Sequence, residues 1–239
     1  MVSKLTRAFK LRNFRRIVAF FSDGWKTGYA PQVHWGQDGE DVFLSEALPE
    51  RGFYVDVGAH HPFRFSSTKL LYDKGWSGLN IDVTDAMEKL FPKHRQRDIN
   101  HFGLVGHPRQ ATFYRFVEPA LSTLDPELAR ERQEEGCPLL REDHLEVRSL
   151  DSILDENGAP KTIDLLCVDA EGADLEVLET VSFENRLVRR VLVELHVPAW
   201  KVSSHAISKL LESKGYRPVA VWMRSVLFEL VDARKSSTG

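Results

Sequence analysis

Gly52-Phe-Tyr-Val-Asp-Val-Gly-Ala-His-His61 carries a strand of buried character, Phe53 to Val57, straight into a small-residue turn. A short apolar run of this kind, bounded by glycines, fits a central strand of a parallel sheet. A second apolar run ends at Asp82, 26 positions after Asp56. That is about where a nucleotide-binding βαβ unit places the acid that holds a ribose. The pairing points to an adenosine-containing ligand; the competing reading is an ordinary strand and turn with an incidental acid.

The turn is not the dinucleotide fingerprint. A pyrophosphate binder needs G-x-G-x-x-G so that the backbone can close on two phosphates, whereas Gly58 and Ala59 are followed by His60, His61 and Pro62. One small pair with an acid just before it suits a nucleoside without pyrophosphate. S-Adenosylmethionine is such a ligand. Its amino acid end needs partners that Asp56 and the turn N–H groups are placed to supply, and its ribose hydroxyls need an acceptor such as Asp82.

Working outward, short apolar runs alternate with helical stretches after residue 50, the pattern of a doubly wound sheet. The spacing predicts strands at Phe53 to Val57, Gly78 to Asp82, about His101 to Val105, Ile163 to Asp169, Val191 to His196, Pro218 to Met223 and Val226 to Val231. It predicts helices near Ser67 to Lys74, Asp85 to Phe91, Asp174 to Val181 and Ser204 to Lys214, and a further strand at Ala111 to Phe116. The last two of the seven strands are joined by the short stretch Arg224-Ser225 and so form an antiparallel hairpin. The fold class is therefore α/β: a doubly wound, mostly parallel, seven-stranded Rossmann-like sheet closed by a C-terminal antiparallel hairpin. This is the architecture of the common class of methyltransferases that use S-adenosylmethionine. Ligands bind outside the carboxyl ends of such strands. Asp56, Asp82, Asp169, Glu194 and His196 all fall at those ends.

Residues 118–147 interrupt the pattern with a polar, proline-containing insertion that holds a short helix at Pro126 to Glu134. It reads either as a lid that selects the acceptor or as a solvated excursion. The domain itself is expected over 31–233, behind a basic arm at 1–30.

The chain has 239 residues, a net charge of −3 and no run approaching the ~18 apolar residues of a membrane span. No signal peptide is recognisable, which gives an expectation of a cytoplasmic protein. Cys137 and Cys167 read as reduced thiols rather than a bridge. The charge is uneven: residues 1–30 carry seven bases and one acid, a balance of +6 that leaves −9 for the rest. An acidic body argues against nucleic acid as a partner. From Arg12 the arm is amphipathic at helical spacing, with Phe14, Ile17, Val18 and Phe21 on one face. Such a helix either rests on the inner face of an anionic membrane or packs its apolar face on the domain.

Several runs in order resemble the FkbM family of S-adenosylmethionine-dependent methyltransferases. They are Gln37-Asp-Gly-Glu-Asp-Val-Phe-Leu44, Phe53-Tyr-Val-Asp-Val-Gly-Ala59, Gly75-Trp-Ser-Gly78, Leu121-Ser-Thr-Leu124, Leu150-Asp-Ser-Ile-Leu154 and Ile163-Asp-Leu-Leu-Cys-Val-Asp-Ala-Glu-Gly172. The similarity covers about Trp35 to Phe228. It implies O-methylation of a hydroxyl on a carbohydrate, a glycolipid or polysaccharide, or a natural product. It also implies cofactor contacts at Asp56, Gly58, Ala59 and Asp82, with Asp169, Glu171 and Gly172 in the fourth-strand motif. His60, Thr68 and Val83 join the expected cofactor set. The chain departs from the family with Ser67 where Asn is frequent, Cys167 where Lys or Ser is frequent, and Asp82 where Glu is common.

Methyl transfer from a sulfonium is an in-line displacement, so the protein must align the reactants and remove the hydroxyl proton. Sugar hydroxyls are poor acids, and a base or a metal is expected. His196 is the natural general base, with Asp169 or Glu194 acting directly or orienting it. The same region reads alternatively as a site for a hard divalent ion such as Mg, through Asp169, Glu171, Glu194 and His196, with His60 or His61 as further ligands. The alternative reading of Glu171 is a helix cap. Trp200, just past the fifth strand, is the candidate stacking face for a sugar.

Two rival functions share parts of this pattern. A nucleotide-dependent oxidoreductase shares the ribose acid but lacks the glycines and the closing hairpin. A non-catalytic module that binds S-adenosylmethionine shares everything except turnover.

Overall fold

The computed structural model describes residues 33–231. Its strands are β1 (Phe53–Val57), β2 (Ser77–Asp82), β3 (Ile99–Phe102), β4 (Leu104–Val105), β5 (Arg109–Phe116), β6 (Leu139–Arg148), β7 (Thr162–Ile163), β8 (Leu165–Val168), β9 (Leu187–Val188), β10 (Arg190–Glu194), β11 (Tyr216–Val221) and β12 (Ser225–Leu230). Seven of them form one sheet in the order β11-β12-β10-β8-β1-β2-β3. The pairs β1/β2, β1/β8, β8/β10 and β2/β3 are parallel, whereas β12 runs antiparallel to both β10 and β11. Trp222 donates its N–H to the Ser225 carbonyl at 2.8 Å, which closes the hairpin over Met223 and Arg224.

The central strands are continuously apolar because both faces of the sheet are covered. Side chains alternate between faces along each strand. Val55, Val57, Leu166, Val168, Val191 and Val193 belong to one core, with Leu154, Val177 and Leu211 from three helices packed on it. Tyr54, Leu165, Cys167 and Leu192 point to the other, where Leu44, Leu71 and Trp76 cover them.

Several boundaries differ from the sequence reading, each for a local reason. The expected strand at His101 to Val105 is two strands that part at Gly103, whose N–H turns back to the Asp82 carbonyl. The run at Ile163 to Asp169 is broken at Asp164, which holds the Phe53 N–H on its side chain at 2.9 Å. The helix over Asp85 to Phe91 stops at Lys89, and a short helix restarts at Phe91–His94 because Pro92 has no N–H to continue the ladder. The strand expected at Val191 to His196 ends at Glu194, so His196 lies beyond it.

The insertion is not a loose excursion. Its short helix lies at Pro126–Glu134, capped by Asp125, and its second half is the ten-residue strand β6, paired antiparallel with β5 and parallel with β4 in a second sheet. Helices at Glu40–Ala47 and Leu150–Glu156 also escaped the sequence reading.

Among the described residues no helix is long and apolar enough to cross a membrane. Cys137 and Cys167 are both free thiols. The amphipathic arm, with its membrane or packing role, lies outside the described residues.

Candidate active site

Gly58, at the end of β1, has φ +79°, and a Cβ there would sit 1.7 Å from the Asp169 carbonyl oxygen. Only glycine permits this approach of β1 to the chain beyond β8. The N–H groups of Gly58 and Ala59 donate to the Ile81 carbonyl at 3.0 and 3.2 Å, joining the turn to β2. Asp82, the last residue of β2, receives the His60 N–H on Oδ2 at 2.8 Å and the Thr84 N–H on Oδ1 at 2.7 Å. The carboxylate is thus fixed, with a further lone pair on each oxygen.

The turn is held by its own atoms. His61 N–H donates to the Ala59 carbonyl. His61 Nδ1 accepts the N–H groups of Phe63 and Arg64, each at 3.1 Å. Ser66 N–H reaches the Trp35 carbonyl at 3.1 Å. The N–H groups of Gly58, Ala59, His60, His61, Phe63, Arg64 and Ser66 are therefore spent within the protein. These seven groups are the part of the turn that does not serve the ligand carboxylate expected there.

Asp82 and Val83 line a cleft that is open to solvent and encloses about 780 Å³. Leu104, Val105 and Phe113 give it an apolar wall, and Ser122 and Leu124 of the insertion face it from the other side. His60 Nε2 is buried without a hydrogen-bond partner, and burial lowers the pKa of this ring. Its imidazole stacks on Phe65, which has φ +58°. The cleft thus sets apolar side chains beside the anchored carboxylate of Asp82 and an unsatisfied imidazole nitrogen.

A second cavity of about 460 Å³ shares Gly58, Phe65 and Asp169 with the first and adds Ala59, Asp56, Glu40, Glu194 and Arg224. Asp56 is buried and accepts the Thr68 hydroxyl at 2.8 Å. Thr68 lines neither cavity; it orients Asp56. Burial pushes the Asp56 carboxyl up to about 6 against the opposing pull of Thr68 and of Arg95. Asp169 Oδ1 is buried with no partner. Burial, and then the charge of Glu194 beside it, hold Asp169 well above the usual carboxylate range. Glu194, with a side chain only 7% exposed, meets His196 Nε2 at 2.9 Å, and His196 itself is 66% exposed. A chain of titratable groups thus leads from a buried carboxyl to solvent.

The proposed metal set is corrected. Glu171 has φ +48° and turns its carboxylate to Arg132, while its carbonyl accepts the Thr123 hydroxyl at 2.7 Å. Burial raises its pKa and Arg132 opposes the rise. His196 is directed to Glu194 from the solvent side. Among the described residues no group of three or more His, Cys, Asp or Glu side chains is arranged to hold a metal ion. The helix-capping role considered for Glu171 is not filled, since the helix at Asp174–Glu179 has no side-chain cap; Asp174 instead ties down the preceding loop by accepting the N–H groups of Ala170 at 2.8 Å and Gly172 at 3.3 Å. Its buried carboxyl is raised to about 6 by desolvation. Trp200 is exposed and lines neither cavity.

Three features escaped the sequence reading. Arg95 is fully buried beneath the turn, where it donates to Ser66 Oγ at 2.7 Å, Tyr54 Oη at 2.9 Å and the Pro62 carbonyl at 3.2 Å. Glu40 accepts from the N–H of Asp38 at 2.9 Å and the Ser67 hydroxyl at 2.8 Å. Asp38 holds Arg224 of the C-terminal hairpin. The run Gln37-Asp-Gly-Glu-Asp41 was a visible signal for the last two; nothing local marked Arg95.

Residues 56–218 match the model of the methyltransferase FkbM domain. The methyltransferase sdnD of Sordaria araneosa is 39% identical over 104 residues, a match covering 38% of this chain and 38% of that protein. The chain therefore aligns with well under half the length of this relative.

Proposed function

We propose, because the chain belongs to the FkbM methyltransferase family, that it transfers the methyl group of S-adenosylmethionine to a hydroxyl of a carbohydrate, glycolipid, polysaccharide or natural-product acceptor. We take its large sheet to be the doubly wound, Rossmann-like methyltransferase sheet, which the strand order and the antiparallel hairpin support. One observation carries the functional reading: an apolar cleft with a fixed carboxylate, Asp82, opens beside the buried carboxyl pair Asp169 and Glu194.

When bound, S-adenosylmethionine supplies a methyl group on a sulfonium, which leaves the protein to align the acceptor and remove one proton. Asp82 offers both oxygens to a ribose diol while its backbone donors keep it from rotating. Val83, Leu104 and Val105 exclude water around the base. Burial, and then the charge of Glu194 beside it, raise Asp169 above the usual carboxylate range, which makes its ionised form the stronger base. An acceptor hydroxyl delivered to ionised Asp169 gives its proton to this carboxylate. Glu194 passes charge outward to His196, which meets solvent. On this reading His196 is the outlet of the proton and Asp169 is the base. The unpartnered Asp169 oxygen also favours turnover over a module that only binds, because such a module has no need of a buried acceptor at that position.

The test measures S-adenosylhomocysteine formed from S-adenosylmethionine in the presence of a panel of hydroxyl-bearing mono- and oligosaccharides. Wild type is expected to turn over with at least one of them, and Asp169→Asn to bind the cofactor without turnover. Turnover by Asp169→Asn at the wild-type rate would overturn the assignment of the base. Binding by wild type without turnover on any acceptor would favour the binding module.

A further inference from the structure

The second cavity is lined by four acids, Glu40, Asp56, Asp169 and Glu194, and by one cation, Arg224. Arg224 stands on the hairpin between β11 and β12, yet it is tied to the start of the domain: Asp38 accepts its N–H at 3.0 Å and its Nη1 at 2.7 Å. This grip holds the guanidinium by one nitrogen. Among the described residues no other partner holds its remaining donors. The cavity adjoins the cleft assigned to the nucleoside, with Gln37, Gly58, Phe65 and Asp169 lining both.

We infer that Arg224 receives the carboxylate of the amino acid end of S-adenosylmethionine. The inference rests on the cofactor reading above and follows from charge. An adenosine that ends in an amino acid brings one carboxylate and one ammonium to the far side of the turn. The N–H groups of Gly58, Ala59, His60, His61, Phe63, Arg64 and Ser66 are already bonded within the protein, which takes most of the turn out of play. Ser67 has given its hydroxyl hydrogen to Glu40. The acids of the cavity suit the ammonium and repel the carboxylate, which leaves the guanidinium as the cationic donor at this end. Arginine is the residue fitted to this task, because its planar fork matches a carboxylate with two parallel bonds. The arrangement gives the closing hairpin a binding role: it supplies a contact that β1 and β2 lack.

Calorimetry with two ligands separates this contact from the rest of the site. S-Adenosylhomocysteine carries the amino acid end, and 5′-methylthioadenosine has the same nucleoside and sulfur without it. Wild type is expected to prefer S-adenosylhomocysteine. Arg224→Met is expected to weaken that ligand by about 10- to 100-fold, the size of a lost charge-assisted bond, and to leave 5′-methylthioadenosine unchanged. Arg224→Lys should fall between the two, and Asp38→Asn, which frees the guanidinium to rotate, should weaken S-adenosylhomocysteine alone. The same affinity for S-adenosylhomocysteine in Arg224→Met as in wild type would overturn the inference while the cofactor reading stands. Equal loss of both ligands would overturn it too, since the effect would then lie in the nucleoside cleft. Failure of wild type to bind either ligand would sink both the inference and the cofactor reading.

Discussion

The carboxyl of Asp169 lies buried against that of Glu194, and Glu194 is bonded in turn to the exposed ring of His196 at 2.9 Å. This relationship sets the expected pH dependence of turnover. Burial and the neighbouring Glu194 raise the Asp169 pKa; Glu171 and Asp174 raise it further, while Arg132 draws off the charge of Glu171. At low pH Asp169 is protonated and cannot accept a proton, so kcat should rise with pH. Glu194→Gln removes the like charge, lowers the pKa of Asp169 and should move the rising limb to lower pH. A kcat profile measured on both proteins checks the direction; a limb that stays in place or moves to higher pH contradicts it.

Asp56 has a consequence for stability. Its carboxyl is raised from 3.8 to about 6 by burial, so the folded state keeps a proton that the unfolded state has already lost. Stability associated with it is fully present below pH 3.8 and is lost as pH rises through 6, an effect of about 3 kcal/mol. Asp56→Asn cannot ionise. It should therefore match wild type in urea unfolding near pH 4 and exceed it at pH 8. A variant that is less stable than wild type at pH 8 would show that the carboxylate earns its place in the fold as an ion.

Gly58→Ala places a methyl group 1.7 Å from the Asp169 carbonyl oxygen at a φ of +79°. Neither backbone can move without disturbing β1 or β8. The expected loss of stability is about 3 kcal/mol or more, read as a lowered unfolding midpoint, with cofactor binding lost as well.

Arg95→Met should be as damaging, although Arg95 lies outside both cavities. Its guanidinium joins Tyr54, Ser66 and the Pro62 carbonyl, and Asp98 is its buried counter-ion at 3.7 Å. Removing it leaves Asp98 in the core without its counter-ion, although Tyr54, Gly78 and Asn80 still donate to it, at a cost of about 3–5 kcal/mol. Chemical denaturation measures this directly; a loss under about 1 kcal/mol would mean that the network is not fastening the turn.

Glu171→Gln distinguishes a latch from a metal ligand. Because Arg132 already holds the carboxylate, the substitution should lower the unfolding midpoint and change kcat little, with or without added magnesium. Loss of magnesium-dependent activity in this variant would restore the ligand role that the geometry denies it.

The acids at strand ends were legible because periodicity locates the strand and the strand's end locates the residue. Asp56, Asp82, Asp169 and Glu194 all follow this logic. His196 does not, since the strand stops two residues earlier and leaves its side chain exposed. The strand Leu139–Arg148 was hidden by charge: Arg141 and Asp143 lie on the same face as Leu145 and Val147 and satisfy one another and Arg115 across the pair, so apolar alternation fades. The pairing of Asp38 with Arg224 spans 186 positions and no local pattern announces it. Arg95 sits in the polar run His94-Arg-Gln-Arg-Asp98, where only the packed structure shows which arginine is buried.

The central claim, an adenosine-bearing methyl donor anchored at Asp82, is tested most directly by calorimetric titration of S-adenosylmethionine, S-adenosylhomocysteine and NAD into the purified protein and into Asp82→Ala. The account predicts micromolar binding of both sulfur ligands by wild type, at least tenfold weaker binding by the variant, as expected for lost bonds from a charged acceptor to the ribose diol, and no binding of NAD. Binding of NAD alone, or equal affinity of wild type and Asp82→Ala for the sulfur ligands, would contradict it.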